Sequence, residues 1–359
     1  MKKTALSGLV LSSLGLLVFG FISWFKTSLP DPVQAKNHSI QVRDSADRIR
    51  GVSFVAPPSP FKGNPFEDLI SNNISWISVI PYAFTPPDDP VVRYDQVHWQ
   101  WWGETKQGAR ATILMAHENR IKVMLKPQVY IPRGWTGSMD YQTDEEWEHW
   151  ERDYQRYILD MATMAEETGV EIFCIGTEFS VSVKKRQPFW HELIRKVRTV
   201  YTGKITYSAN WDHYRDTPFW DYLDYIGVSA YFPLSGDPTP EVDSLKTLWL
   251  PWLDQMKKYS DSLGKKLLFT EYGYLTVDGA AGKTWELEKK IRQLPLNQKV
   301  QANAYQALFE TFWPESFWAG GFAWKWFPEG EGHEGYPEKD YTPQGKLALS
   351  VLSDWYSKP

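Results

Sequence analysis

Glu171-Ile-Phe-Cys-Ile-Gly-Thr-Glu178 is a short apolar run that ends in a carboxylate, and Leu267-Leu-Phe-Thr-Glu271 repeats this arrangement. Short runs rich in β-branched and aromatic residues, without a helical period, predict buried strands. The strands of a parallel sheet all end at the same edge. The two runs therefore predict two strands that deliver a glutamate each to one edge of one sheet.

Six further runs of the same kind lie on either side of these two. The eight predicted strands are Gly51–Val55, Trp76–Tyr82, Ile121–Ile131, Glu171–Glu178, Lys204–Trp211, Tyr225–Phe232, Lys266–Glu271 and Gly320–Phe327. Eight strands that alternate with helices over about 300 residues are typical of a (β/α)8 barrel. A doubly wound sheet usually has fewer strands and a glycine-rich phosphate loop, and neither GxGxxG nor GxxxxGKS occurs. The predicted class is therefore α/β, with a single closed TIM barrel.

Segments with helical character separate most of the strands. The clearest runs from Thr143 to Gly169, because Thr143 and Glu146 have capping-box spacing and a glycine ends the segment. Three more helices are predicted over Gln187–Tyr201, Glu241–Leu263 and Gln298–Phe312. The link at the fifth helix is short, so the repeat is least regular there.

The N-terminal segment, residues 1–25, predicts a signal anchor or a signal peptide. Lys2 and Lys3 precede the apolar stretch Ala5–Phe25, which has nearly the length of a membrane span. Val33–Ala35 is a weak candidate cleavage site. Positive charges that flank a membrane segment stay on the cytoplasmic side, so Lys2 and Lys3 are expected there. The rest of the chain is then expected outside the cytoplasm, either membrane-anchored or secreted after cleavage.

Residues 26–48 contain Pro30, Pro32 and several charges and are predicted to be a tether, and residues 49–359 form the predicted barrel domain. The loop Ala83–Gly103 is long, as active-site loops of barrels often are. The sequence does not indicate an oligomeric state.

Composition and net charge exclude several classes of partner and cofactor. The net charge is -5 and there are no long basic runs, so no nucleic-acid partner is expected. The single cysteine, Cys174, allows no intrachain disulfide, and without HExxH or GxSxG neither a catalytic metal nor a serine nucleophile is predicted. No cofactor is expected. Nineteen Trp, nineteen Tyr and eighteen Phe exceed what a core of this size needs, which favours a ligand with flat apolar faces, such as a sugar.

Strand alternation predicts how the two glutamates are aimed. If Glu178 points into the barrel, so do Gly176 and Cys174, whereas Phe173 and Ile175 face the helices. If Glu271 points in, Leu268 and Thr270 point out. Two carboxylates at one site are the minimum for glycoside hydrolysis, in which one donates a proton and the other attacks the sugar or activates water. The alternative is a pair of surface glutamates that end strands.

Six motifs make the chain resemble glycoside hydrolase family 113, whose characterised members are β-mannanases. They are Trp101–Thr105, Val123–Gln128, Ile175–Glu178, Gly227–Pro233, Thr270–Gly273 and Gly321–Trp326, and the likeness runs from about Arg50 to Trp355. The resemblance implies a retaining enzyme in which Glu178 is the acid/base and Glu271 the nucleophile. Most members of the wider clan carry Asn before the acid/base, whereas Thr177 stands here.

Four polar residues are candidates for binding substrate. Lys126 and Gln128 share the face of their strand that looks into the barrel mouth, where a buried ammonium needs a carboxylate or a polar ligand. Tyr231 is expected to point inward, and by the resemblance its hydroxyl holds the nucleophile. Asn210 is a candidate for the bond to the sugar 2-hydroxyl, or it merely ends its strand.

Aromatic residues form the second group of candidates for substrate binding. Trp324 and Trp326 lie two apart on the last strand and are expected to share a face, where one indole would form the platform under the sugar. The remaining candidates are Trp101, Trp102, Trp211 and Tyr130. For each of these aromatic residues, the alternative to substrate binding is packing in the core. Glu104 and Asp212 are two further acidic residues in the same neighbourhood. For each of them a structural role is favoured over a catalytic one.

The leading functional prediction is retaining hydrolysis of a β-linked hexose polysaccharide or oligosaccharide, β-1,4-mannan first, by double displacement. The first alternative is the same chemistry on another β-glycan, by a glucanase, a xylanase or an exo-mannosidase. The second is a non-catalytic carbohydrate-binding barrel, which does not require a carboxylate pair.

Overall fold

The computed structural model describes residues 48–95, 100–328 and 338–359. The predicted signal segment and all but the last residue of the predicted tether lie outside these ranges. Among the residues described, no helix is both long enough and apolar enough to cross a membrane.

Ten strands occur in the described ranges, and eight of them close into a parallel barrel. They are β1 (Ile49–Phe54), β2 (Trp76–Val79), β3 (Tyr82–Phe84), β4 (Lys122–Leu125), β5 (Gln128–Tyr130), β6 (Ile172–Thr177), β7 (Lys204–Asn210), β8 (Ile226–Ser229), β9 (Leu267–Tyr272) and β10 (Trp318–Trp326). The order around the barrel is β1-β10-β9-β8-β7-β6-β4-β2. The predicted TIM barrel is confirmed, and each barrel strand overlaps one of the eight predicted runs.

Two predicted strands are each divided in two by a proline. Pro81 separates β2 from β3, and Pro127 separates β4 from β5. Proline has no N–H with which to continue a ladder. Beyond the prolines, β3 and β5 pair with each other as a small parallel sheet that extends one side of the barrel mouth.

Helices surround the barrel. They are α1 (Glu67–Ser71), α2 (Lys106–Glu118), α3 (Asp144–Thr168), α4 (Ser180–Lys185), α5 (Gln187–Val200), α6 (Val242–Leu263), α7 (Thr284–Glu288), α8 (Gln298–Phe312) and α9 (Leu347–Tyr356). The predicted capping box begins α3: the Glu146 N–H donates to Thr143 Oγ1, and the Thr143 N–H donates to the Glu146 carboxylate. Gly169 ends the helix with φ of 71°. The link from β7 to β8 contains only two short 3₁₀ turns, so no regular helix forms at the irregular repeat.

The apolar residues form two layers, inside the barrel and between the strands and the helices. Met124, Cys174 and Leu268 belong to the small inner cluster, whereas Val123 and Leu125 belong to the large outer one. The predicted faces of β4 are therefore confirmed.

The predicted outward direction of Leu268 and Thr270 is wrong. Leu268 lies in the inner cluster. A bulge explains why Glu271 nonetheless reaches the mouth: Val228 of β8 pairs with Phe269 of β9, but the next residue of β8 pairs with Glu271. One extra residue in β9 shifts the alternation, so Leu268 and Glu271 both serve the interior.

The predicted inward direction of Gly176 is also wrong. A Cβ on Gly176 would meet Tyr154 Oη at 2.9 Å and Trp190 at 3.0 Å, and these two side chains come from α3 and α5. Gly176 therefore faces the helices. A second bulge lies here, because Cys174 and Thr177 pair with residues of β7 that are only two positions apart. Both carboxylate-bearing strands thus carry a bulge just before the glutamate.

Candidate active site

Glu271 is fixed by three side chains at the end of β9. It is 6% exposed. Its Oε1 accepts hydrogen bonds from Lys126 Nζ and, at 3.1 Å, from Gln128 Nε2, and its Oε2 accepts one from Tyr231 Oη at 2.9 Å. Lys126 follows β4, Gln128 begins β5 and Tyr231 follows β8, so the donors approach from two directions. The carboxylate has one defined orientation, with its charge balanced by a cation.

Lys126 has the carboxylate partner that its burial requires. Its side chain is fully buried, and it forms an ion pair with Glu271. Nζ also lies 5.5 Å from the ring centroid of Trp324, a distance at which an ammonium is attracted to an indole face. Removing either charge of a buried pair leaves the other uncompensated. Lys126 and Glu271 therefore depend on each other.

Glu178 occupies a different environment. Its backbone has φ of 59°, a left-handed conformation that is uncommon for a residue with a side chain and that recurs at functional sites. The Glu178 N–H donates to the Ser208 carbonyl at 2.8 Å, and Trp135 Nε1 donates to Glu178 Oε2 at 2.6 Å. The left-handed conformation ends the extended backbone of β6, whose last residue is Thr177.

Burial raises the pKa of Glu178 to about 7, with a smaller contribution from the negative charge of Glu271. Hydrogen bonds from Trp135 and Ser229 and the charge of Lys126 act in the opposite direction but do not cancel the effect. A carboxyl group with this pKa exchanges a proton readily near neutrality. It is suited to serve as an acid in one step and as a base in another.

A row of hydroxyl groups crosses the barrel near the two carboxylates. Ser208 Oγ lies 3.0 Å from Ser229 Oγ and 2.6 Å from Thr270 Oγ1, and all three side chains are buried. Polar groups inside a barrel are tolerated when they satisfy one another. This row links β7, β8 and β9 and fixes the strand ends relative to each other.

A cavity of about 380 Å³ opens beside Trp324. It is lined by Ser53, Phe54, Val55, Ala56, Ile80, Tyr82, Phe84, Trp101, Glu104, Tyr130, Trp324 and Lys325. The Ser53 hydroxyl is buried and has no hydrogen-bond partner among the described residues. Burial raises the pKa of Glu104, whose Oε2 accepts the Trp101 N–H at 3.0 Å. The cavity combines flat aromatic walls with a few polar groups, the usual character of a small-molecule site.

The predicted aromatic residues are divided between cavity and core. Trp101, Tyr130 and Trp324 line the cavity, whereas Trp102 does not and packs edge-on against Phe61, with ring centroids 5.8 Å apart. Trp326 is 1% exposed and belongs to the outer core. The prediction that it shares an open face with Trp324 is wrong.

The two predicted residues at the end of β7, Asn210 and Trp211, do not line this cavity. Asn210 Nδ2 donates to Asp212 Oδ1 at 2.9 Å, so the amide is already engaged. The Trp211 ring stacks on Trp285 with centroids 6.1 Å apart and meets Trp252 edge-on at 5.9 Å. Binding of substrate by Asn210 and Trp211 stays a prediction.

Thr177 stands where most of the clan has Asn. Its hydroxyl is buried and has no hydrogen-bond partner among the described residues. A buried hydroxyl without a partner costs free energy unless a ligand or water satisfies it.

Sequence reasoning missed Trp135 and the hydroxyl row. Trp135 lies in Gly134-Trp-Thr-Gly137, where a tryptophan between two glycines in a polar loop was the available signal. Ser208 and Ser229 carry no such signal, because a serine in a buried strand usually satisfies itself locally.

A closed parallel barrel with a buried carboxylate on one strand end and a carboxyl of raised pKa on another is an arrangement suited to a glycoside hydrolase. The chain belongs to glycoside hydrolase family 113, since the model of that family matches residues 64–346.

Solved structures agree with this assignment. The GH113 β-mannanase AaManA from Alicyclobacillus acidocaldarius, in complex with ManMIm, is 26% identical with a TM-score of 0.73, over 86% of this chain and 97% of that one. A GH113 β-1,4-mannanase is 26% identical with a TM-score of 0.73, over 87% and 100%. A β-glucuronidase from Ruminococcus gnavus, 14% identical with a TM-score of 0.57 over 86% and 50%, shares the fold alone. None of the curated proteins matches the chain.

Proposed function

We propose that this glycoside hydrolase is a retaining β-1,4-mannanase, with Glu178 as acid/base and Glu271 as nucleophile. One observation carries the assignment of roles: the two carboxyl groups lie in opposite environments. Glu271 is held against a buried ammonium, whereas burial raises the pKa of Glu178 to about 7. Pairs of titratable groups in such contrasting environments indicate which is the acid and which the nucleophile. The solved relatives named as β-mannanases support the sugar.

The first half of the reaction uses both groups together. Protonated Glu178 gives its proton to the glycosidic oxygen as the bond to the leaving sugar breaks, and Glu271 attacks the anomeric carbon. Lys126, Gln128 and Tyr231 aim one Glu271 oxygen at that carbon by holding the carboxylate. In the second half, ionised Glu178 takes a proton from water, and the hydroxide oxygen replaces Glu271 on the sugar.

The cavity beside Trp324 supplies space for the part of the glycan that stays on the enzyme. Trp324 contacts both the cavity and Lys126, which in turn holds Glu271. A sugar bonded to Glu271 therefore has the cavity as its neighbour. The aromatic walls of the cavity can pack against the C–H faces of a sugar, and Ser53 and Glu104 are the proposed hydrogen-bond partners of its hydroxyl groups.

The function is tested by reducing-sugar release from mannans, glucans and xylans, beside Glu178→Gln and Glu271→Gln. We expect release from mannan, lowered at least about 100-fold by either substitution. Release from glucan or xylan alone would keep the chemistry and replace the sugar. No release from any polymer or short oligosaccharide by folded protein would contradict the proposal. We also propose that the enzyme acts outside the cytoplasm, as the N-terminal segment predicts.

A further inference from the structure

Trp135 contacts Glu178, and neither half of the proposed reaction assigns a role to this contact. Its Nε1 donates to Glu178 Oε2 at 2.6 Å, although the tryptophan lies on a loop and is 41% exposed. A large, half-exposed aromatic side chain on a loop normally has several orientations. One short, directional hydrogen bond to a carboxyl group at the centre of the site therefore calls for a structural reason.

The loop is built to hold the indole in this orientation. A Cβ on Gly137 would lie 2.3 Å from the Trp135 ring, so only glycine lets the indole pack against the backbone there. Thr136 Oγ1 donates to the Thr177 carbonyl at 3.2 Å. Lys185, at the end of α4, donates to both carboxylate oxygens of Asp140 at 2.7 Å. The loop is therefore tied to the chain on both sides of Glu178.

An indole N–H donates hydrogen bonds and accepts none. It stabilises the ionised form of a carboxyl group more than the protonated form. We propose that Trp135 is a positioning residue for Glu178, whose N–H holds the ionised carboxylate in the orientation that takes a proton from water in the second half of the reaction. The catalytic meaning rests on the function proposed above, whereas the contact and its electrostatic effect do not.

The hydrogen bond also opposes the effect of burial on Glu178. Other titratable groups face Glu178: Glu271 from β9, Lys126 after β4, Tyr231 after β8 and Tyr207 from β7. None of them changes when Trp135 is replaced. A shift in the titration of Glu178 in a Trp135 variant therefore reports the lost N–H.

Trp135→Phe keeps an aromatic ring and removes the N–H. The measurement is the titration of Glu178 by carboxyl-carbon NMR of the full chain without substrate, with the signal assigned by its loss in Glu178→Gln. We expect the pKa of Glu178 to rise by about half a unit to one unit, the effect of a partly exposed hydrogen bond to a charged group.

Trp285→Phe is the matched control, because Trp285 is a similarly exposed tryptophan of the rim that stacks on Trp211 instead of bonding Glu178. It is expected to leave the titration of Glu178 unchanged. If Glu178 titrates at the same pH in Trp135→Phe as in the native protein, the proposal is wrong, whether or not the enzyme hydrolyses mannan.

With an activated aryl mannoside, whose hydrolysis is limited by the second step, Trp135→Phe is expected to lower kcat and KM together. A change in KM alone would make the indole a sugar platform and overturn the positioning role.

Discussion

The ends of β6 and β9 carry the same residue type in contrasting settings. At β9, Glu271 accepts hydrogen bonds from Lys126, Gln128 and Tyr231 and is almost fully buried. At β6, Glu178 has no ion-pair partner among the described residues, and its backbone is left-handed. The end of β9 therefore holds Glu271 as a charged carboxylate, whereas the end of β6 leaves the proton of Glu178 exchangeable.

This contrast shows how one barrel gives two glutamates different chemistry. A nucleophile must stay ionised and aimed at one atom, so a buried cation and two neutral donors suit it. An acid/base must change protonation state twice in each cycle, so a strong cation partner would obstruct it. The proposed roles follow from these surroundings.

The largest expected difference lies between Glu271→Gln and Glu178→Gln. Glu271→Gln should lower kcat on every substrate on the order of 10⁴-fold or more, because the nucleophile is lost. Glu178→Gln should lower it about 10²- to 10⁴-fold on mannan but far less in the first step on a dinitrophenyl mannoside, whose leaving group needs no proton. Steady-state and burst kinetics measure both. Equal losses on the two substrates would remove the distinction between the strand ends.

Lys126→Met tests whether the β9 end depends on its cation. The substitution leaves Glu271 buried without its ion-pair partner, so the free energy of unfolding should fall by about 3 kcal/mol, as measured by urea denaturation at pH 7. Activity should fall as well. Lys258→Met is the control, because it removes an exposed pair with Asp254 and should leave stability within error. Equal effects of the two substitutions would contradict the interdependence of Lys126 and Glu271.

Tyr231→Phe removes one neutral donor from Glu271 and leaves the ion pair intact. We expect kcat/KM on mannan to fall about 10-fold, less than for a complete loss of electrostatic stabilisation, because Lys126 and Gln128 still hold the carboxylate. Tyr222→Phe, at an exposed tyrosine outside the site, should have no effect. A Tyr231→Phe enzyme with native kcat/KM would show that the hydroxyl only packs.

The smallest effect concerns stability and pH at the β6 end. The pKa of Glu178 rises from 4.5 to about 7 on folding, so between these values the folded protein keeps a proton that the unfolded chain has lost. The free energy of unfolding therefore decreases as pH rises through this window. Glu178→Gln should be more stable than the native protein at pH 8 by roughly 1–2 kcal/mol and equal to it at pH 4. Equal stability at both pH values would contradict the raised pKa.

The barrel could be predicted from sequence because each strand is a buried run with a clear boundary, and both glutamates end such runs. Alternation with a period of two also placed Lys126 and Gln128 correctly. It failed for Leu268, Thr270 and Gly176, because each bulge inserts one residue that no side-chain pattern announces.

Loop placement set the other limit of prediction. Trp135 reaches Glu178 only because Gly137 permits the packing of its indole, a contact that spacing along the chain does not encode. Trp326 is the converse case, because a residue at a promising position proved to be core.

The most direct test of the two roles is covalent trapping. A 2-deoxy-2-fluoro mannoside with a good leaving group forms the glycosyl ester quickly and hydrolyses it slowly, so the labelled peptide can be identified by mass spectrometry. The account predicts one sugar on the peptide that contains Glu271, and a first product with retained anomeric configuration. A label on Glu178, or a product of inverted configuration without any adduct, would contradict it.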